Sequence, residues 1–163
     1  DWVVYHSSLG NTKTLNLNTN DAEVTDAAFN DTTPTSSVFT LSNCASGSCI
    51  NSNSGNYIAY CWTPKSGFSK FGTYTGTGSS RSITGLGFQP DWVLIKSTTQ
   101  TASWQLFDSA RAATKGLNPD SDAAEFTNTD MLTAFDADGF SLGNQSSVNA
   151  NTETYIYMAF KMN

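Results

Sequence analysis

The first stretch of this chain recurs 102 positions later, beginning with Trp2, which matches Trp104. The residues of the first stretch that recur unchanged are Trp2, Ser7, Lys13, Leu15, Asn16, Ala22, Glu23 and Thr25. After short gaps, Phe39 matches Phe140 and Tyr57-Ile58 matches Tyr155-Ile156. A repeat built from strand-like pieces predicts a scaffold or a binding surface, because duplication multiplies packing contacts more readily than catalytic ones.

Apolar and polar residues alternate over short runs that end in clusters of Gly, Ser, Asn and Thr, a pattern that indicates strands and turns. The predicted strands are residues 2–6, 13–17, 37–42, 56–62, 68–75, 81–85, 91–96, 103–108, 139–143 and 154–161. Residues 122–133 are the best helical candidate, although their Thr, Asn and Phe side chains favour no more than one turn. We therefore expect an all-β fold, an antiparallel β-sandwich that is jelly-roll-like and has a pseudo-twofold internal duplication.

The repeat divides the chain into two parts. We expect residues 1–66 to form a first β-repeat that is truncated at its N-terminus, and residues 67–163 to form a fuller second one. The second repeat has three predicted strands before its own Trp104 strand, and the first repeat lacks them. We expect one sandwich in which these central strands serve both halves. The alternative is that a neighbouring chain supplies the missing strands, since an unpaired sheet edge invites pairing.

Charged residues are scarce, at 13% of the chain, whereas soluble proteins usually contain about 25%. A surface rich in Ser, Thr, Asn and Gly is typical of extracellular or virion β-proteins, so we expect a location on a virion surface or outside the cell. The net charge of −6 disfavours nucleic acid as a partner, because phosphate binding needs clustered Lys and Arg. No apolar run approaches the ~20 residues of a membrane span, so membrane insertion is not expected.

The three cysteines divide into a pair and a single residue. Cys44 and Cys49 flank Ala-Ser-Gly-Ser, which is flexible enough to let the thiols meet. We expect a disulfide there, with strain in so short a loop as the argument against it. Cys61 lies in a predicted strand and corresponds to Ala159 of the second repeat, so we expect a small buried thiol.

The acidic segment after residue 117 is a candidate calcium site. Its oxygen-bearing side chains are Asn118, Asp120, Asp122 and Glu125. Calcium requires about six to eight oxygen ligands on a flexible loop, and this spacing supplies four. The glycine and the bidentate glutamate of a calcium loop are not in place. A solvated turn capped by Asn and Asp side chains is therefore the main expectation, and bound calcium the alternative.

No set of residues indicates catalysis, so we expect that the protein is not an enzyme and has no cofactor. His6 is the only histidine. A nucleophilic triad would place it beside a serine or cysteine and an orienting acid, and the adjacent Ser7 and Ser8 do not provide that geometry. Glycoside hydrolysis needs two opposed carboxylates, and the acidic residues here lie mostly in turns.

Three aromatic residues are candidates for ligand contact, namely Tyr74, Trp2 and Trp104. They lie at strand ends or beside loops rich in Ser, Thr and Asn. A sugar stacks its apolar face on such rings while its hydroxyls bond nearby amides. Burial in the core is the main expectation for each ring. For a glycan site, the loops at 43–55 and 143–153 are the first places to look, because both are rich in Asn and Ser.

Several motifs follow one another in an order that resembles a repeated module of tailed-phage structural proteins. They are Gly87-Phe-Gln-Pro-Asp-Trp-Val-Leu-Ile-Lys96, Trp104-Gln-Leu-Phe-Asp-Ser-Ala-Arg111, Ala124 with Glu125, Asp138-Gly-Phe-Ser-Leu-Gly143 and Tyr155-Ile-Tyr-Met-Ala-Phe160. The module occurs in tail fibres, tail spikes and other virion proteins, many of them from marine or cyanobacterial phages. The resemblance implies a virion or appendage β-protein and brings no catalytic residue with it.

The first repeat departs from this pattern, because His6-Ser-Ser-Leu9-Gly10 stands where the second has Asp108-Ser-Ala-Arg111-Ala112. An ion pair between Asp108 and Arg111, which would fasten a strand end, is therefore expected only once. The leading hypothesis is a non-enzymatic structural module of a phage tail fibre, a spike or a capsid-surface decoration. Its partners would be other copies or other virion structural proteins. The alternatives are a module that binds a carbohydrate or host receptor, such as a surface glycan, and a subunit of a non-viral extracellular filament.

Overall fold

The computed structural model describes residues 1–44 and 48–162, and this part of the chain consists almost wholly of antiparallel β-strands. The strands are β1 (Val3–Val4), β2 (Lys13–Asn16), β3 (Val24–Thr25), β4 (Ser69–Thr75), β5 (Arg81–Thr84), β6 (Trp92–Ser97), β7 (Gln105–Asp108), β8 (Lys115–Leu117), β9 (Phe126–Thr127), β10 (Leu132–Asp136), β11 (Gly139–Leu142) and β12 (Thr154–Phe160). One short helix, α1 (Ser146–Asn149), precedes β12. No helix among the described residues has the length and apolar character needed to cross a lipid bilayer.

The largest sheet has six strands in the order β4-β12-β6-β7-β8-β9. Strands β12 and β6 are largely apolar on both sides, which suits strands that are covered on both faces. Tyr157 of β12 is paired with Gly72 of β4 and with Ile95 of β6. A Cβ atom on Gly72 would lie 2.6 Å from the Tyr157 ring. Glycine at this position therefore lets the tyrosine ring lie over strand β4.

One face of the six-stranded sheet packs against a second sheet, β10-β11-β5, around a shared apolar core. Phe140 of β11 meets the Tyr157 ring edge-on, with the ring centroids 5.4 Å apart. Antiparallel sheets that pack face to face in this way confirm the predicted all-β class and its sandwich character. The jelly-roll-like strand order stays a prediction.

The other face of the six-stranded sheet is covered by the first repeat. Its strands form a separate sheet, β1-β2-β3. Leu15 of β2 is buried in an apolar cluster with Leu94, Trp104 and Ile156 of the second repeat. The large sheet is thus enclosed on both faces, which explains why its central strands carry so few polar side chains.

Strands β1–β3 and β7–β9 correspond at the offset of 102 residues seen in the sequence. The pair Val4 with Leu15 recurs as Leu106 with Leu117. The register between β2 and β3 recurs between β8 and β9 in the same way. A lysine–glutamate ion pair is repeated as well, since Lys13 contacts Glu23 in the first repeat and Lys115 contacts Glu125 in the second. The repeat therefore corresponds to a three-stranded unit with the same register in both places, whereas the pseudo-twofold relation of the whole halves stays a prediction.

Several local predictions were wrong. Residues 37–42 and 56–62 form no strand, although their sequences match β11 and β12. Residues 122–133 contain β9 and the beginning of β10 instead of a helical turn. Strands β4 and β6 pair with strands of the second repeat within the described chain, while β6 also packs against the first repeat, so the sharing of central strands between the halves stays a prediction. The common physical reason is that a strand requires a paired neighbour, and no described strand lies beside 37–42 or 56–62.

Candidate functional site: an aromatic row and an uncharged cleft

Two of the three aromatic residues predicted to contact a ligand are in the core. Tyr74 is buried, stacks on Tyr155, and donates a 2.6 Å hydrogen bond from its hydroxyl to the Val148 carbonyl. Burial raises the pKa of the Tyr74 hydroxyl well above its usual value. Trp104 is only 4% exposed. Neither ring is accessible to a ligand, because each closes an apolar cluster between layers.

Trp2 is 51% exposed and begins a row of three rings, which we call the aromatic row: Trp2, Tyr60 and Trp62. The centroid of Tyr60 lies 6.2 Å from that of Trp2 and 6.1 Å from that of Trp62. A depression of about 350 Å³ beside it is lined in part by Leu17 and Pro119. Tyr60 and Trp62 lie within residues 56–62, which the sequence predicted to form a strand.

The aromatic row belongs to a longer exposed segment, residues 56–62, in which every residue is exposed. The same sequence pattern is enclosed in β12. Ile58 is 65% exposed, whereas its counterpart Ile156 is 3% exposed. Cys61 is also exposed, although its counterpart Ala159 is buried. The prediction of a buried Cys61 thiol was therefore wrong, because no described strand covers the segment.

The predicted calcium ligands do not converge. Both oxygens of Glu125 face cations, with Lys115 Nζ at 2.9 Å and Arg111 Nε at 3.5 Å. The side-chain amide of Asn118 donates to the Trp104 carbonyl and to Gln105 Oε1. Over residues 1–44 and 48–162, no group of three or more His, Cys, Asp and Glu side chains is arranged to hold a metal ion. Glu125 therefore already neutralises two cations, and calcium at Asn118, Asp120, Asp122 and Glu125 stays the alternative to the solvated turn that is the main expectation.

The Arg111 guanidinium lies 2.7 Å from Asp108, so the expected ion pair at the end of β7 is present. The main-chain N–H of Arg111 also donates to Asp108 Oδ1 at 3.0 Å. Together these two contacts close the turn that leads from β7 towards β8. The pair is exposed, and its role is local.

Cys44 and Cys49 are joined by a disulfide, with Cα atoms 4.7 Å apart. The carboxylate of Asp26 accepts hydrogen bonds from the main-chain N–H groups of Ser48, which precedes Cys49, and of Ala28. Burial by itself would raise the pKa of Asp26, but the hydrogen bonds outweigh it and hold that pKa below its ordinary value. The buried carboxylate thus ties Ser48, next to the disulfide, to the chain that follows β3.

The side chain of His6 is buried and contacts main-chain groups. Its ring is buried, its Nδ1 accepts a 3.1 Å hydrogen bond from Ser8 N–H, and its Nε2 lies 3.4 Å from the Tyr157 carbonyl. The acceptor role of Nδ1 assigns the ring proton to Nε2, which can then donate to the carbonyl. Burial lowers the pKa of His6 and favours this neutral form. The side chain links the end of β1 to the large sheet.

A cleft of about 460 Å³ lies where the loop between β6 and β7 approaches β9 and the start of α1. Amide and hydroxyl side chains form most of its lining, including Gln100, Gln105, Asn118, Asn128 and Ser147. Phe126 and Met131 add an apolar patch, and no charged residue of the described chain lines the cleft. Sequence reasoning named only one of its walls, the Ser- and Asn-rich loop at 143–153. The other walls come from positions that are distant in sequence.

Lys96 lies near this cleft and is fully buried. Its Nζ donates to the carbonyls of Ser97 at 2.6 Å and Gln100 at 3.4 Å. Burial lowers the pKa of Lys96 to about 8, partly offset by the negative charges of Asp120 and Asp21. The ammonium thus fixes the loop that forms one wall of the cleft, because it binds the carbonyls of that loop.

No curated protein matches the chain significantly, and neither does any solved structure. A family model does match, and it does so from residue 1 to residue 163. The chain therefore belongs to the DUF7483 family, a domain of unknown function.

Proposed function

We propose that this chain is a non-enzymatic structural module of a virion or other extracellular assembly, such as a phage tail fibre, a spike or a capsid-surface decoration. The observation that carries the proposal is the exposure of residues 56–62, whose apolar pattern resembles that of the enclosed central strand β12. The motif order that resembles the phage module, and a surface poor in charge, support the same assignment. The lone histidine is engaged in structural contacts, which supports a role without catalysis.

The exposed segment is unfavourable for an isolated chain. Tyr57, Ile58, Tyr60 and Trp62 are each more than half exposed, and Val38 and Phe39 of the first repeat are exposed as well. Burying one large apolar side chain contributes roughly 1.5–3 kcal/mol. Clustered apolar exposure of this kind marks an interaction surface on soluble proteins. The segment therefore offers enough apolar surface to stabilise an assembly contact.

A second copy of the chain is the occupant that fits this segment best. No charged residue occurs between Asp31 and Lys65, whereas the whole chain carries a net charge of −6. Two copies that approach through this stretch avoid the like-charge repulsion that other surfaces would create. Strand β12 demonstrates that the same sequence pattern pairs along both edges. The segment would add to a neighbouring copy by strand pairing.

Sedimentation velocity over a range of concentrations tests this proposal. The chain is expected to form oligomers as its concentration rises, and Ile58→Lys or Tyr60→Lys is expected to shift it to monomer. Ser80→Lys is the matched control, since Ser80 is exposed in the second repeat and the substitution changes charge equally. The proposal would be contradicted if the unmodified chain stayed monomeric at every concentration. It would also be contradicted if Ser80→Lys dissociated the oligomer as strongly as Ile58→Lys or Tyr60→Lys.

A further inference from the structure

We propose that the cleft between the β6–β7 loop and helix α1 binds an uncharged, polyhydroxylated ligand of the class of a neutral oligosaccharide. The proposal concerns a different surface from the assembly segment and does not depend on it.

The chemistry of the lining selects this class of ligand. An ionic ligand would lose its hydration in a cleft that no charged side chain lines, which is unfavourable without a partner charge. A purely apolar ligand would cover amides and hydroxyls without bonding them, which is also unfavourable. A sugar offers hydroxyls that both donate and accept, together with an apolar ring face. The volume of about 460 Å³ is within the ~300–1,000 Å³ typical of ligand sites.

The polar side chains of the cleft are held in place by bonds within the protein. Asn118 donates to Gln105 Oε1 at 3.1 Å, and Gln105 donates in turn to the Ser103 carbonyl at 3.2 Å. Asn128 Oδ1 accepts from the main-chain N–H of Asp130 at 2.8 Å, so its amino group remains as a donor. Side chains that are already ordered lose less conformational entropy when a ligand binds.

Ser147 provides a second observation that points to a ligand. Its Oγ is inaccessible to bulk solvent and has no hydrogen-bond partner within the described chain, although Ser147 lines the cleft. A buried hydroxyl without a partner is uncommon and costly, and it is satisfied by an ordered water or by a ligand hydroxyl. Because the Oγ is out of reach of solvent in this rotamer, the Ser147 side chain must turn about its Cα–Cβ bond to bond a sugar hydroxyl in the cleft.

Phe126 supplies the apolar surface for stacking. Its ring packs edge-on against Phe107, with centroids 6.1 Å apart, and a Cβ atom on Gly116 would lie 2.5 Å from it. The ring is therefore fixed by its neighbours while it still lines the cleft. The corresponding residue of the first repeat is Val24, so the aromatic ring at this position occurs only in the second repeat. A fixed aromatic ring beside amide groups is the arrangement that suits a sugar ring.

The test is an NMR titration of the whole chain with maltohexaose, cellohexaose and a galacto-oligosaccharide at millimolar concentration, with a sulfated heparin fragment as the charged comparison. At least one neutral probe is expected to shift the side-chain amide signals of Gln100, Asn118 and Asn128. Thr101→Trp, on the exposed rim of the cleft, is expected to weaken that binding at least tenfold, and Ser147→Ala severalfold. Thr12→Trp, at an exposed position of the first repeat, is the matched control and should bind as the unmodified chain does.

Three results would overturn the proposal. The first is the absence of any shift with all three neutral probes. The second is a set of shifts that persists in Thr101→Trp or that lies at the aromatic row instead of the cleft. The third is stronger binding of the heparin fragment than of every neutral probe. Ser147→Ala decides the matter if Thr101→Trp does not fold, because it removes one hydroxyl and adds no bulk.

Discussion

The indole Nε1 of Trp104 donates a 2.9 Å hydrogen bond to the main-chain carbonyl of Asn16. This bond joins the six-stranded sheet to the first repeat, and the ring that makes it is buried between them. The matching residue of the first repeat, Trp2, has no such environment and is half exposed. The two tryptophans therefore occupy equivalent positions of the repeat, but Trp104 joins two layers of the fold whereas Trp2 lies at the surface.

Trp104→Phe should lower the free energy of unfolding by about 1–3 kcal/mol, because it removes the hydrogen bond and leaves a small cavity. Trp2→Phe should change that free energy by no more than ~0.5 kcal/mol, since its ring is at the surface. Urea unfolding followed by circular dichroism measures both variants. Equal losses in the two variants would show that Trp104 does not fasten the layers.

Asp26→Asn should lower the free energy of unfolding at neutral pH by about 1–3 kcal/mol, because an amide cannot accept every hydrogen bond that the carboxylate accepts. The folded-state pKa of Asp26 lies below its unfolded value, so its contribution is fully present above the unfolded pKa and is lost as the pH falls through the folded pKa. The difference in free energy of unfolding between the unmodified chain and Asp26→Asn should therefore become smaller below a pH of about 4. Asp122→Asn, an exposed change in the second repeat, is the control, and a gap independent of pH would refute the assignment.

Lys96 should give the unfolding free energy a pH dependence on the alkaline side. Its pKa is lowered by burial to about 8 from an ordinary value of 10.5, so the unfolded state binds more protons between these pH values. The contribution of Lys96 to stability should therefore rise as the pH increases from about 8 to 10.5. Comparing the chain with Lys96→Met across this range isolates the contribution of Lys96 from that of the tyrosines. If the free energy of unfolding changed with pH in the same way in the unmodified chain and in Lys96→Met, the lowered pKa of Lys96 would be contradicted.

Gly72→Ala should destabilise the large sheet, because the added Cβ would lie 2.6 Å from the Tyr157 ring. We expect a loss of about 1–3 kcal/mol, the usual cost of overpacking a core. Gly67→Ala is the comparison, since a Cβ there meets no atom within 4 Å and its cost comes from its positive φ alone. Adding Tyr157→Leu to Gly72→Ala should recover part of the loss if the clash is with the ring. No recovery would place the strain elsewhere.

Much of the sheet could be predicted from the sequence, because its longer strands alternate over several residues. Strands β4, β7, β11 and β12 fall within predicted ranges, and β6 extends one residue beyond its predicted range, to Ser97. Strands β3, β8 and β9 were missed because they have two or three residues each, too few for a pattern of period two to be recognised. Strand β10 was missed as well, and it begins inside the range 122–133 that was the helical candidate. Their position is set by pairing with neighbours instead of by their own sequence.

Residues 56–62 demonstrate the opposite case. They have a strong strand pattern and yet form no strand, because pairing depends on a partner that the local sequence does not reveal. The cleft could not be predicted for a related reason. Gln100, Asn118, Asn128 and Ser147 are far apart in sequence and meet only after the sheets have packed. Composition predicted the uncharged character of the surface but not the place where uncharged groups converge.

The most direct test of the central claim is hydrogen exchange at the amides of residues 57–62, measured in the monomer and in the assembled state beside those of residues 155–160. In the monomer, we expect residues 57–62 to exchange fast and 155–160 to exchange slowly, because only the latter are paired on both sides. On assembly, residues 57–62 should become protected while the control segment Thr77–Ser80 does not change. Protection of residues 57–62 already in the monomer, or no gain of protection on assembly, would contradict the account.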